Sequence, residues 1–155
     1  MVAGLFLTAC GYHCLPVTDQ TITVPVFENR TIYHGQEFEF TQLVHQRIIT
    51  QTPFRLTDQK EQADFLLSGE IIDYTKPALI EGRNDQVIVS QIAITLKITL
   101  TDLKSGKIVH EGCCTETAEL ISTRGETEIS ARAEVFEKLA RWVAAQLTNK
   151  SLTQK

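Results

Sequence analysis

The stretch Val87–Thr101, VIVSQIAITLKITLT, decides the fold. From Ile92 onward, isoleucine or leucine alternates with a small or polar residue. Side chains of a strand point alternately to the two faces of its sheet, so the pattern buries one face and exposes the other. This is typical of an antiparallel sheet, because a parallel sheet covered on both faces has continuous apolar strands. The stretch therefore predicts a sheet with one covered and one open face.

Further strands are predicted on both sides of this stretch. Lys107–Thr117 returns as its hairpin partner across the turn Asp102–Gly106, where Gly106 can supply a positive φ. Phe65–Tyr74 precedes it, with Phe65, Leu67 and Ile71 on one face. Thr21–Phe27 and Phe54–Leu56 are shorter candidates, and Pro25 places the first at an edge or bulge because proline cannot donate a ladder hydrogen bond. The connecting segments 28–36 and 76–86 are polar, which predicts loops.

Two segments have the period of an amphipathic helix. Glu37–Thr50 carries acids in its first turn, where the helix dipole favours them. Glu128–Thr148 is the longer helix, and Asn149 is its expected stop. The apolar faces are expected to comprise Phe40, Leu43, Val44 and Ile48 in the first helix, and Ile129, Ala133, Phe136, Leu139, Ala140, Val143 and Leu147 in the second.

The order of these elements predicts the fold class. Two amphipathic helices would pack on one face of a four- to five-stranded, mostly antiparallel sheet, which is a two-layer α+β sandwich. The length of 155 residues suits one domain, which we assign to 21–149, followed by a tail at 150–155.

The N-terminus has the pattern of a bacterial lipoprotein signal. Residues 1–9 are apolar and end in Leu7-Thr8-Ala9-Cys10, a branched residue and two small residues before the cysteine that receives lipid. We therefore expect a signal peptide at 1–9, lipidation at Cys10 and a lipidated tether over 10–20. The alternative is an apolar strand ending at a buried cysteine. Because no basic residue precedes the apolar part, we expect a truncated signal or a misassigned start. Gly11, where aspartate would retain the protein in the inner membrane, favours the outer membrane.

Composition narrows the class of function. Hydrophobic residues make up 43% of the chain, charged residues 22%, and the net charge is −4. Without a polybasic run, nucleic-acid binding is not expected. No apolar stretch approaches the roughly 20 residues of a membrane-spanning helix.

The cysteines and histidines do not predict an enzyme, a metal site or a cofactor. Cys113 and Cys114 are neighbours on a strand, so their side chains should point to opposite faces. Either could pair with Cys14 in an oxidising compartment, or one could be a core residue and the other a free thiol. Cys10, His13 and Cys14 have metal-ligand spacing only superficially. The remaining histidines, His34, His45 and His110, have no recognisable nucleophile beside them.

The order of several short motifs resembles the lipopolysaccharide-assembly lipoproteins, the LptE family. The opening Cys10-Gly11-Tyr12-His13 follows the lipid-attachment motif, and Ile22–Thr31 (ITVPVFENRT) is similar to that family's first strand and turn. Glu37–Val44 resembles its first helix, and Ala63-Asp64 followed by Leu67-Ser68-Gly69 its next strand. Cys14 and the pair Cys113-Cys114 depart from the pattern.

The resemblance implies a role at the periplasmic side of the outer membrane. Such lipoproteins plug a large β-barrel partner, the LptD-like lipopolysaccharide-assembly protein, assist its folding and bind lipopolysaccharide. Lys76 and Arg83 in the loop 76–86, with Lys97 on the polar face of the long strand, are our candidate contacts for lipid phosphates. Arg30 is the candidate contact for the barrel. Ordinary solvated charge is the alternative for each of them.

Two other classes of function remain open. The chain could be an envelope adaptor lipoprotein of a secretion or cell-wall machine, without lipopolysaccharide binding. A thiol enzyme built on Cys113 or Cys114 would require a thiol of lowered pKa.

Overall fold

The computed structural model describes residues 19–81, 87–121 and 124–151. Within these ranges, seven strands form one sheet and two helices form a layer on one of its faces. The elements in chain order are β1 (Thr21–Thr23), β2 (Glu28–Asn29), α1 (Gln36–Gln51), β3 (Arg55–Leu56), a 3₁₀ turn (Lys60–Gln62), β4 (Phe65–Thr75), β5 (Ala78–Glu81), β6 (Val87–Asp102), β7 (Lys107–Ile121) and α2 (Glu128–Ser151).

The seven strands occupy five positions across the sheet. β6 pairs along one edge with β7 and along the other with β4 and then β5, all antiparallel. β1 and β2 follow one another along the outer edge of β4, and β3 pairs with β1; these three pairings are parallel. The predicted α+β class and mostly antiparallel sheet are therefore confirmed. The expected four to five strands are too few, because the short strands β2 and β5, which pair with β4 and β6, lie in segments that were predicted to be loops.

The alternation in β6 divides the sheet as the sequence predicted. Ile92, Ile94 and Leu96 are 0% exposed, whereas Lys97 is exposed. Both helices cover this buried face, and α1 contributes Phe40, Val44 and Ile48, each fully buried. Gly106 lies in the turn that joins β6 to β7 and has a φ of +68°, as predicted.

A glycine in β4 makes room for an aromatic ring of the core. Gly69 faces the helices, and a Cβ atom built on it would lie 1.7 Å from Phe27 Cε1. The Phe27 ring thus packs directly on the backbone of β4. Phe27 and Phe40 have ring centroids 5.2 Å apart, and Phe40 lies 5.1 Å from Phe136 of α2. Phe27 and Gly69, which both belong to the motifs that resemble the family, are therefore determinants of the fold.

Three details of the sequence prediction are wrong. The segment 76–86 was expected to be a loop, but Ala78–Glu81 forms β5, because its backbone continues the pairing of β4 with β6. The first strand ends at Thr23, so Pro25 lies outside it, and a second strand, β2, begins at Glu28. In α2, Ile129 is 67% exposed and Ala133 is also exposed, since the apolar face is centred instead on residues that include Ala131 and Val135.

The lengths of the two helices were predicted closely, but Asn149 is not the stop of the second, because α2 continues to Ser151. Among the helices of the described residues, none has the length and apolar character that crossing a bilayer requires.

Candidate functional site

The two ends of the sandwich differ, and the chain enters at one of them. Thr21 begins β1 beside Asp64, whose Oδ2 accepts hydrogen bonds from Thr21 N (2.9 Å) and Thr21 Oγ1 (3.0 Å). Lys104, in the turn between β6 and β7, places its Nζ 2.6 Å from Asp64 Oδ1. The Lys104 ammonium and the Thr21 amide together lower the pKa of Asp64 to about 2. The Ala63-Asp64 motif therefore fixes the point where the predicted tether joins the domain.

Asn29 organises the turn between β2 and α1. Its Nδ2 donates to Tyr33 O (2.7 Å) and Glu37 Oε2 (3.1 Å), and its Oδ1 accepts from Thr31 N (2.9 Å). The backbone N–H of Glu37 and the Asn29 amide lower the pKa of Glu37. Asn29 thus holds the start of α1, at the end of the domain remote from Thr21.

A cluster of ionised groups joins β4 to α2 at this remote end. Lys76 Nζ lies 2.7 Å from Glu128 Oε2, and the Tyr74 hydroxyl donates to Glu128 Oε1 (3.2 Å). The Lys76 hydrogen bond lowers the pKa of Glu128. Burial, followed by the charge of Glu128, raises the pKa of Tyr74 to about 12. The side chain of Arg132 is 16% exposed, and its Nη2 is 3.8 Å from Glu39 Oε2.

The sequence identified Lys76 but not its neighbours. Tyr74 and Arg132 were not singled out, and Glu128 was read only as an acid at the start of a helix. A tyrosine that ends an apolar strand was the one available signal, because a buried hydroxyl needs a partner. The contact with Glu128 spans 54 positions of sequence, so no local pattern could reveal it.

Exposed apolar side chains surround the same end. Ile32 is 83% exposed and Phe38, in the first turn of α1, is 59% exposed. Single exposed apolar residues are ordinary, whereas several at one end of a domain make that end a candidate contact surface. The members of this group, which we call the distal apolar group, are Ile32, Phe38, Ile72, Leu79, Ile80 and Ile129.

Lys97 and Arg30 lie on the open face of the sheet. Lys97 is opposite Glu70 of β4 on one side and Cys113 of β7 on the other. Arg30, with a side chain 69% exposed, forms an ion pair with Glu70, and its backbone N–H donates to Ile71 O (3.0 Å). The two basic side chains therefore share one acidic neighbour.

The structure does not gather the predicted lipid contacts into one site. Along β4, Lys76 is six residues from Glu70, the partner of Lys97, which corresponds to roughly 20 Å. Lys76 turns towards α2, whereas Lys97 projects from the open face. Arg83, Cys10 and Cys14 lie outside the described residues.

The two neighbouring cysteines point to opposite faces, as predicted. Cys113 is exposed on the open face, and Cys114 is partly buried beneath the helices. Burial, together with the nearby Glu116 carboxylate, raises the pKa of Cys114. A catalytic thiol needs the opposite shift, so Cys114 is a poor nucleophile.

Solved structures with this fold come from several bacteria. A DUF330 protein from Xanthomonas campestris has a TM-score of 0.66 at 11% identity, covering 91% of this chain and 90% of its own. Lipoprotein B from Nitrosomonas europaea has a TM-score of 0.63 at 9% identity, covering 97% and 94%. A minor lipoprotein from Acinetobacter baumannii has a TM-score of 0.57 at 12% identity, covering 88% and 96%. The chain thus shares its two-layer α+β fold with these proteins, two of which are named as lipoproteins.

The family is shown by the sequence, whereas the solved structures show only the fold. A search of curated proteins finds no match to the chain. The model of the lipopolysaccharide-assembly family, LptE, matches residues 20–151, which is nearly the whole described domain. The chain therefore belongs to the LptE family, as the motifs indicated. The chain is therefore a lipopolysaccharide-assembly lipoprotein, and the family to which it belongs is a non-enzymatic one.

Proposed function

We propose that this protein is anchored through Cys10 to the periplasmic side of the outer membrane, and that it plugs an LptD-like β-barrel, assists its assembly and contacts lipopolysaccharide. The distal apolar group carries the proposal. It lies at the end of the domain remote from Thr21, so an anchored molecule would present it to a partner away from the tether. The family match supports the same role.

The lipid anchor would hold the domain at the membrane. Each buried methylene of an acyl chain contributes about 0.8 kcal/mol, and stable anchoring needs at least two such signals, which a multiply acylated Cys10 would supply. Mass spectrometry of the native protein tests this step. We expect a chain that begins at an acylated Cys10. An unmodified thiol that still follows residues 1–9 in the mature protein would contradict it.

The barrel contact is tested by charging the distal apolar group. The double variant Ile32→Asp/Phe38→Asp places carboxylates where an apolar contact is proposed, and we expect it to lose co-purification with the barrel. Ile49 and Ile108, 64% and 59% exposed, lie outside this group and provide the matched control Ile49→Asp/Ile108→Asp. Equal recovery of the barrel with both variants would remove the distal end from the interface.

The lipid contact is tested by reversing charges one at a time. Lys76→Glu, Arg83→Glu and Lys97→Glu should each weaken lipopolysaccharide binding by about tenfold, because a charged hydrogen bond contributes about 1.5 kcal/mol or more. Lys60→Glu, in the 3₁₀ turn near Thr21, is the control and should bind normally. Lys76→Glu also opposes Glu128, so its thermal stability must be measured alongside. Unchanged binding in all three variants would favour an adaptor that does not bind this lipid.

A further inference from the structure

β7 forms one edge of the sheet and is 15 residues long. It pairs with β6 along one side, and no other strand of the described residues lies along its outer side. An exposed strand edge presents unpaired N–H and C=O groups, which can pair with a further strand. Native proteins usually block such long open edges. Which outward backbone N–H and C=O groups of β7 already have a hydrogen-bond partner therefore decides how much of this edge is open.

Two side chains block the end of β7 that leads to α2. Lys138 Nζ donates to Thr117 O (2.7 Å), and Ile121 N donates to Glu126 Oε2 (2.8 Å). These contacts also show that odd-numbered residues of β7 turn their backbone groups outward, because outward and inward residues alternate along an antiparallel edge. The register between β6 and β7 is regular from Glu111 to Ile121, so the alternation holds throughout.

The middle of the same edge is open. By this alternation, Glu111, Cys113 and Thr115 direct their backbone N–H and C=O groups outward. In the part of the chain that the structure describes, these groups have no hydrogen-bond partner. Each open residue offers one donor and one acceptor, which is the pattern that an antiparallel strand completes.

We propose that the edge of β7 binds a second copy of this chain, with the two β7 strands antiparallel about a two-fold axis at Cys113. This register is self-complementary. Cys113 lies opposite Cys113 of the second copy and Glu111 opposite its Thr115, so all three open residues are paired. A register centred two positions later, on Thr115, would place Glu111 opposite Glu119.

The side chains beside the proposed axis fit this pairing. On the helix side, His110 would lie opposite the second copy's Glu116, an acceptor for an imidazole N–H. Gly112, next to the axis, is covered by the Trp142 ring, whose Cη2 would be 3.0 Å from a Cβ at that position. The two partly buried Trp142 side chains would then approach each other, and tryptophan is enriched at such interfaces.

Thr115 allows a test that depends only on the sign of a charge. Thr115→Glu would face Glu111 of the second copy and Thr115→Lys would attract it, twice in each dimer. Both variants lose the 2.8 Å hydrogen bond between Thr115 and Thr95, so their effects on folding are matched. Sedimentation velocity of the full lipidated chain in detergent should give a dissociation constant roughly fivefold to tenfold higher for the Glu variant and lower for the Lys variant. A chain that is monomeric at every concentration, or equal constants for the two variants, would overturn the proposal.

The position of the axis is tested by oxidative crosslinking. In a Cys14→Ser/Cys114→Ser chain with acylated Cys10, the two Cys113 thiols would lose two protons and two electrons to added diamide, which is reduced to the hydrazine, and form one disulfide. An antiparallel hydrogen-bonded pair has a Cα separation of about 5.5 Å, which suits a disulfide. The matched control adds Cys113→Ser and Glu119→Cys, which moves the thiol along the same face and should not crosslink.

A failure of the dimer would be distinct from a failure of the proposed function. Crosslinking of Cys113 to the barrel protein instead of a second copy would assign this edge to the barrel and overturn the dimer. Loss of the dimer in Thr115→Glu, with normal recovery of the barrel, would support the dimer and leave the barrel contact at the distal apolar group.

Discussion

The two faces of β6 are built from alternate residues of one strand, yet they have different tasks. The covered face is apolar, and Ile92, Ile94 and Leu96 have no exposed surface. From Ala93 to Thr101 the open face consists of threonines, a lysine and an alanine at half-buried or exposed positions. Burial of the covered face should therefore supply most of the stability, and substitutions on the open face are expected to cost little. The open face is therefore free to serve contacts with other molecules.

The largest difference between the faces should appear at two adjacent positions. Leu96→Ala leaves a cavity beneath the helices and should lower the free energy of unfolding by about 2–5 kcal/mol. Lys97→Ala, its neighbour on the open face, should change it by less than about 0.5 kcal/mol. Urea unfolding at neutral pH measures both. Similar losses for the two variants would mean that the open face is covered in the folded protein.

The next effect concerns two glycines that face the helices. Gly69→Ala forces a methyl group into the space of the buried Phe27 ring and should cost about 1–3 kcal/mol. Gly112→Ala should cost less, because its nearest neighbour, Trp142 Cη2 at 3.0 Å, is the tip of a partly buried side chain that can shift. The same urea experiment ranks them, and a reversed order would show that the edge beneath Trp142 is the more rigid place.

Acid should lower the stability of the end of the sheet at which the chain enters, where Asp64 binds Thr21 and Lys104. The pKa of Asp64 is about 2 in the folded protein and 3.8 ordinarily, so its carboxylate stabilises the fold above about pH 4. This contribution is lost as the pH falls through about 2. Because the side chain is 22% exposed, solvent screening reduces it to about 1–2 kcal/mol. Asp64→Asn should lose this amount at pH 7, and the difference from the unsubstituted chain should vanish near pH 2; a constant difference would exclude the carboxylate as its cause.

The smallest effect is expected within the open face. Thr95→Ala removes the exposed cross-strand hydrogen bond to Thr115 and should cost about 0.5 kcal/mol. Thermal unfolding can resolve this loss if Lys97→Ala is measured in parallel. A cost above about 2 kcal/mol would show that the open face contributes to stability as the covered face does.

The sequence predicted those parts of the fold that depend on local periodicity. The alternation in β6 and the repeat in α1 each show which side chains are buried, because burial of one face requires apolar residues at that spacing. β5 was missed because Ala78–Glu81 has no alternation of its own and is a strand only through its pairing with β6. The exposed Ile129 was misplaced for a related reason, since a helical pattern does not show where the neighbouring layer ends.

The candidate site was only partly accessible from sequence. Lys76 was identified as a basic loop residue, but its contact with Glu128 joins residues 52 positions apart. The family motifs could be recognised, but Phe27 with Gly69 and Asp64 with Thr21 proved to be packing and anchoring contacts. Apart from Phe38, the apolar residues proposed to contact other molecules at the remote end lie outside these motifs, so the sequence did not single them out as a group.

The sequence alone determined the α+β class, the covered and open faces of the sheet and the family, and it predicts lipid attachment at Cys10. The fold class and the two faces follow from spacing along the chain, since side-chain direction repeats every two residues in a strand and every 3.6 in a helix, whereas the family and the lipid attachment rest on the order of short motifs. Only the tertiary structure decided that Lys76 and Lys97 lie apart, that six apolar residues collect at one end, and that β7 has an open edge. Such features depend on which distant segments pack together, and that choice is set by the free energy of the whole core.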